Sequence, residues 1–322
     1  MINCIKITVI FLLAYSNSIK AQLADNSSTF RNLNSSSYFR FYYDNDYFTK
    51  TDKYYTQGIT LDYVSPGLSC FFLSKLLWRP YASVAKYGVS INLFTYTPSS
   101  IASDSILYGD RPFNSNISVK TFMIQTDASQ KQQVSTAFSI GIMGPWALGH
   151  EIQYGIHKWL KNALPHGWQY QIQNDIIINY QINYEKQLVS AGNNFLLNTT
   201  AEARVGTLNN RAGGGFNFMA GQFNKRLSPI AGNKRKAKYY FYAQGRVNIV
   251  GYDASLQGGL FNRSSPYTIA AGDISRLVFQ ADAGVIVNLK KLYLSYTQSY
   301  LTKEFHAAQY HRWGGISVGF SL

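Results

Sequence analysis

The chain has 322 residues and a formal net charge of +14, yet only 14% of it is charged, while it carries 25 Tyr, 20 Phe and 5 Trp. Its two cysteines, Cys4 and Cys70, exclude a disulfide-dense scaffold. Past the first residues no apolar run is long enough for a spanning helix. An aromatic-rich chain of near-neutral mean hydropathy is then a secreted β-protein or a membrane β-barrel, which alternates apolar residues with polar lumen residues.

Residues 1–21 read as a secretory signal peptide. Lys6 supplies a positive start, "ITVIFLLAY" (7–15) is an apolar core too short to cross a bilayer, and "SIKA" ends the segment at Ala21. Cleavage there removes Lys6 and Lys20 and no acid, lowering the charge from +14 to +12 and leaving Cys70 as the one thiol. Residues 22–36 are expected to form an N-terminal tail.

From residue 37 onward period-two alternation dominates. Ile59, Leu61 and Tyr63 interleave with Thr60 and Asp62. In 171–184, Ile172, Ile176, Ile178, Tyr180, Ile182 and Tyr184 share one face, against Gln171, Gln173, Asp175, Asn179, Gln181 and Asn183. In 276–287, Leu277, Phe279, Ala281, Ala283, Val285 and Val287 oppose Arg276, Gln280, Asp282 and Gly284. The chain closes with Ile316, Val318, Phe320 and Leu322 in alternation with Gly and Ser. A soluble sandwich would carry Lys and Glu on its wet face. Here that face is Gln, Asn, Ser, Thr and Gly, which suits a small lumen.

Strands are expected to begin near 37, 55, 87, 115, 134, 169, 193, 214, 237, 275, 291 and 313. About twelve strands is an even number, as bacterial barrels require. With both termini periplasmic, the outer loops fall near 46–54, 98–114, 144–168, 206–213, 250–274 and 301–311. Connections 66–86 and 224–236 are periplasmic. The basic run "NKRKAK" (233–238) then reads as a solvated turn or a headgroup contact, and nothing resembles a nucleic-acid module. The fold class is all-β, a transmembrane antiparallel barrel over 37–322 with a short helix in an outer loop.

Four features fall in those outer loops. Asn45 and Asp46 end the first strand, and Thr56 opens the second in "YYTQG". Asp110 and Arg111 lie in "YGDRPFNS". In "GPWALGHEIQYGIHKWL" (144–160), Leu148, Ile152, Ile156, Trp159 and Leu160 recur at helical spacing, and His150, Gln153 and His157 share another face. Such a helix could hold an imidazole against the barrel wall. Taken singly each feature has an ordinary reading: an Asx turn, a β-former, a local ion pair, a surface histidine.

Taken together, in this order, they resemble the LpxR-type lipid A 3′-O-deacylases of the outer membrane. The matching residues are "NDYF" with "DKYYTQG", "YTPS" with "GDRPF", "GPWALGHEIQYGIH" followed by Trp168, Gln171 and Asn174, and "TKEF" (302–305). The resemblance runs from about residue 39 to the C-terminus. It implies a calcium-dependent esterase, a monomer of the Gram-negative outer membrane with its site toward the outer leaflet, acting on lipid A of lipopolysaccharide. By resemblance, His157 is the general base, and an imidazole suits that task because it titrates near neutral pH. Asp46 holds Ca2+, Asn45 and Thr56 orient water, imidazole or substrate, and Gln153, Glu151, Asp110 and Arg111 support the site or bind substrate. Two positions depart from the pattern. Ala163 stands where some members carry a carboxylate six residues after the histidine, so backbone carbonyls or another acid must substitute. Ser103 and Asp104 replace a basic pair.

Other readings stay open on the sequence. A porin or structural barrel accommodates the amide-rich lumen, and a family member could have lost activity with its metal site. A serine phospholipase needs a nucleophilic Ser with His and an orienting acid or amide, and no supporting motif is present.

Overall fold

A sheet with one apolar face can cross a bilayer only if it closes, because lipid satisfies no backbone edge. The computed structural model describes residues 26–33, 35–49, 53–81, 83–223 and 237–322. Among them, twelve antiparallel strands close into one barrel. They are β1 (Tyr38–Asn45), β2 (Tyr54–Val64), β3 (Ala85–Thr97), β4 (Asn114–Asp127), β5 (Gln132–Met143) and β6 (Asp175–Ala191). β7 (Phe195–Gly206), β8 (Asn209–Gly221), β9 (Lys238–Asp253), β10 (Leu277–Leu289), β11 (Leu292–Leu301) and β12 (His311–Ser321) complete it. Each strand pairs with its chain neighbours, and β1 closes on β12 with Asn45 opposite Gly314. No described helix is long and apolar enough to cross a membrane. The signal-peptide segment and most of the basic run lie outside the described residues.

The strand faces follow the alternation. Phe41, Leu61, Ile91, Ile140, Ile178 and Val285 point outward and are 43–50% exposed. Asp62, Ser90, Asn92, Gln280 and Asp282 point into the lumen and are buried. Apolar side chains left uncovered in a continuous belt around the wall are the signature of a surface solvated by lipid.

Two boundaries differ from expectation. β6 begins at Asp175 rather than near 169, because Gly167–Tyr170 fold into a 3-10 turn. Ile172 is consequently buried with Met143, Ile177 and Ala254 instead of facing outward. β8 begins at Asn209, earlier than expected, and the glycine run 213–215 lies inside it. A Cβ at Gly213 or Gly215 would collide with the β9 backbone at Val247 or Gly245, so these glycines permit a close strand approach rather than a loop.

Residues 26–33 thread the lumen near the end that carries both termini. Ser27 bonds Ser135 of β5, and Thr29 N–H donates to Glu185 of β6. Arg31 donates to Tyr242 of β9 and Thr297 of β11. Arg40 of β1 donates to the Arg31 and Asn26 carbonyls and forms a buried ion pair with Asp62 at 2.7 Å. Phe30 stacks on Tyr242 with ring centroids 4.3 Å apart. This segment therefore fills the lumen as a plug.

Candidate active site

The loops at the opposite end carry all the residues singled out for chemistry. Asn45 and Asp46 mark the β1 tip. The Asn45 side-chain oxygen accepts from Tyr47 N–H at 2.7 Å, and its amide donates to the Tyr43 hydroxyl at 3.1 Å. It thereby caps the 3-10 turn Asp46–Thr49. Asp46 is buried at the start of that turn. Thr49 Oγ1 lies 2.9 Å from the Asp46 carbonyl oxygen and 2.8 Å from the Arg312 carbonyl oxygen of β12, sharing its proton between them and fastening the turn to the rim. Asp44 faces the lumen and accepts from Tyr55 at 2.8 Å.

Thr56 is the extra residue of a β-bulge, because pairing with β3 slips between Tyr55 and Gln57. A bulge re-aims its side chain. Thr56 is buried, with its hydroxyl 2.7 Å from that of Thr97 on β3.

His157 lies near the end of α1 (Gly149–Leu160), shorter than the 144–160 stretch because Pro145–Ala147 form a separate 3-10 turn. Gly149 seats the helix start on β4, where a Cβ would strike Ser115 and the Trp168 ring. Gln153 Oε1 accepts from Trp168 Nε1 at 2.7 Å, and Trp168 packs on Phe113 and Ile101. The face that meets the protein is thus polar: Gln153 is 1% exposed while Trp159 is 81% and Leu160 about half exposed. The apolar stripe, whose direction the spacing leaves open, turns away from the barrel and stays exposed at Leu148, Trp159 and Leu160, an arrangement suited to a surface that meets lipid.

At the α1 C-terminus Lys161 takes the left-handed conformation (φ 55°), and Asn162 N–H returns to the His157 carbonyl at 2.9 Å. That reversal brings the Ala163 carbonyl oxygen 2.6 Å from His157 Nδ1. A carbonyl can only accept, so Nδ1 is the donor and, in the neutral ring, the lone pair lies on Nε2.

His157 makes no hydrogen bond to Asn45, Asp46 or Thr56. The first three strand tips and α1 occupy neighbouring rim sectors, with α1 seated on β4. Glu151 is exposed and faces His150 at 3.7 Å. Asp110 staples its own loop, accepting from Ser99 N–H and Arg111 N–H. Burial raises the pKa of Tyr267 in the facing loop, keeping its hydroxyl a donor to the Asp110 carbonyl at 2.8 Å. Arg111 is buried in an ion pair with Glu304, donates to Ser255 Oγ at 2.7 Å and lies 4.2 Å from the Tyr96 ring centroid. It joins three outer loops. Sequence reasoning did not pair Arg111 with Glu304, although "GDRPF" and "TKEF" were both visible. The Ala163 carbonyl left no side-chain signal at all.

Beside the Asp46 turn, Lys53 and Arg312 approach the half-exposed Tyr310 ring to 5.9 and 5.7 Å. Among the described residues there is no cluster of three His, Cys, Asp or Glu able to hold a metal. At the β1 tip Asp46 supplies a buried carboxylate outside any acidic cluster. That chemistry fits a weakly held, oxygen-seeking cation rather than a carboxylate cage.

An apolar outer belt, a plugged polar lumen and a rim built from long loops define an outer-membrane β-barrel with its candidate chemistry at one end. The chain belongs to the LpxR family: the family model described as outer membrane protein LpxR matches residues 7–322. Among solved structures, LpxR from Salmonella typhimurium superposes with a TM-score of 0.72 at 19% identity, covering 89% of this chain and 100% of that one. The β domain of the Bordetella autotransporter BrkA gives 0.44 at 10% identity, covering 90% and 100%. Among curated proteins, nothing matches the chain.

Proposed function

We propose that the protein is a lipid A ester hydrolase that removes the 3′-acyloxyacyl chain, with its long-loop rim toward the outer leaflet. The observation that carries this reading is His157 itself, an imidazole at the rim whose Nδ1 is 2.6 Å from the Ala163 carbonyl, so that Nε2 is the basic nitrogen. Membership of the LpxR family and the apolar face that α1 turns outward support it.

In this mechanism Nε2 takes a proton from water as the water oxygen attacks the ester carbonyl carbon. The carbonyl π pair moves to oxygen, giving a tetrahedral oxyanion. Collapse breaks the bond to the sugar oxygen, which recovers the proton from the imidazolium. The products are a free fatty acid and a lipid A hydroxyl. The Ala163 carbonyl steadies the imidazolium through Nδ1–H. Thr56, fixed by Thr97, orients water or substrate, and Asn45 sets the turn that presents Asp46. Calcium is proposed at Asp46, where it would polarise the ester carbonyl. Lys53 and Arg312 are proposed to meet substrate phosphate, since both cations flank one exposed ring beside the Asp46 turn.

Mass spectrometry of lipid A incubated with detergent-purified protein tests the reading, with Ca2+, with chelator, and with His157→Ala. The expected result is loss of one acyloxyacyl group, abolished by the substitution and by chelation. Lipid A left intact across several substrates would overturn the assignment. Activity that survives chelation would remove calcium alone.

A further inference from the structure

Polar side chains on a lipid-facing wall are costly unless something satisfies them. Thr121, Gln125, Thr136 and Tyr180 all stand on the outer face of β4–β6. Thr121 and Gln125 are out of phase with Lys120 and Phe122, which line an interior cavity. Thr121, Gln125 and Thr136 are nonetheless completely buried, whereas the outward neighbours Val119 and Ile140 are exposed.

The cover is the connection between β2 and β3, which folds back over the outside of the barrel. Ser74 Oγ lies 3.4 Å from the Thr121 hydroxyl, and Thr136 donates to the Trp78 carbonyl at 3.3 Å. Gln125 donates to the Tyr81 carbonyl at 2.7 Å. The Tyr180 hydroxyl accepts from Trp78 N–H at 2.7 Å and donates to the Leu76 carbonyl at 3.2 Å. Leu77 packs against Tyr87 and Met123. Thr121 lies six residues from the end of β4, roughly 20 Å along the strand. This is well inside a hydrocarbon layer of about 30 Å even after allowing for strand tilt. The opposite side of the segment exposes Phe72 (67%), Leu76 (52%) and Trp78 (54%), with Lys75 and Arg79 between and beside them.

We propose that residues 66–81 form a membrane-embedded strap. Phe72, Leu76 and Trp78 enter the acyl layer of the leaflet at the terminus end, and Lys75 and Arg79 take the phosphates of anionic phospholipid headgroups. Wall polarity, strap burial and the apolar-basic outer side all require lipid as the occupant. The exposed Cys70 lies on the strap and supplies a probe site.

The full chain with Cys4→Ser is labelled at Cys70 with an environment-sensitive fluorophore and reconstituted in phosphatidylcholine–phosphatidylglycerol vesicles. Nitroxides on lipid acyl chains should quench the label strongly, and aqueous iodide should quench it several-fold less than free dye. In Lys75→Gln/Arg79→Gln protein, the preference of boundary lipid for spin-labelled phosphatidylglycerol over phosphatidylcholine should fall at least about fivefold. Full iodide quenching with no nitroxide quenching would overturn the strap and turn the surface toward a protein partner. Unchanged lipid preference in the variant would overturn the headgroup assignment. Neither readout involves ester hydrolysis, so the strap stands or falls separately from the proposed activity.

Discussion

The two ends of the lumen are filled in opposite ways. At the terminus end residues 26–33 occupy the barrel, and Arg31, Arg40, Asp62 and Glu185 are tied into ion pairs and hydrogen bonds from five strands. At the rim end the side chains sit on turns and a helix that are held from behind, by Thr97, Trp168 and a backbone carbonyl. Between them lies a polar cavity of about 80 Å3 bordered by Asn92, Asn116, Asn179 and Arg204, roomy enough for water. Satisfied buried charges fix a barrel's shape and close it. Chemistry needs groups that are positioned but still have an atom to offer, such as His157 Nε2.

The strongest way to break this contrast is at the rim. His157→Ala should lower ester hydrolysis by about 10²–10⁴-fold, measured against unchanged unfolding in urea. A parallel loss of stability would show that the imidazole is structural. At the plug end Arg40→Ala leaves Asp62 buried without its guanidinium and should cost about 3–5 kcal/mol. The specific rate of the folded fraction should stay at parent level, and titrating the two quantities together checks the separation.

Arg111 tests whether the rim has a framework of its own. Arg111→Met strands Glu304 and should destabilise by a similar amount, while adding Glu304→Met should recover most of it. Failure of the double variant to recover would mean that the Arg111 contacts with Ser255 and the Tyr96 ring, rather than the ion pair, hold the loops together. A milder change addresses the imidazole through its support. Asn162→Pro deletes the N–H bonded to the His157 carbonyl and should reduce kcat about tenfold with little change in KM, as Ala163 moves out of place. The smallest effect is expected for Lys161→Gly, within about twofold, because glycine adopts the left-handed conformation without strain.

The lipid-facing structures at the two ends sharpen the contrast further. α1 and the strap both turn aromatic and aliphatic residues outward and bury polar groups against the protein. For α1 the heptad-like apolar stripe was plain in the sequence, but its direction was not. Periodicity identifies two faces and cannot say which solvent each will meet. Gln153, read as a supporting polar residue, is the buried anchor of the helix, and Trp159 is the exposed one.

Sequence alone determined the barrel. Alternation of single residues is a local property, so the strand starts near 37, 55, 115, 237 and 291 agree with the observed ones to within a residue or so. The outward belt follows directly from the same pattern. It also marked the rim residues, since loops between alternating runs can be read off the chain. Tertiary structure decided everything that depends on who meets whom. The plug looked like a tail because its partners are scattered over strands from β1 to β11. Arg111 found Glu304 across 193 residues. Gly213, expected in a loop, became strand because β9 lies against it. Ala163, which has no side-chain chemistry, became the partner of His157 because a left-handed residue turned its carbonyl back. Hydrogen bonds to the backbone are made by position rather than by residue type, and position is what the closed barrel supplies.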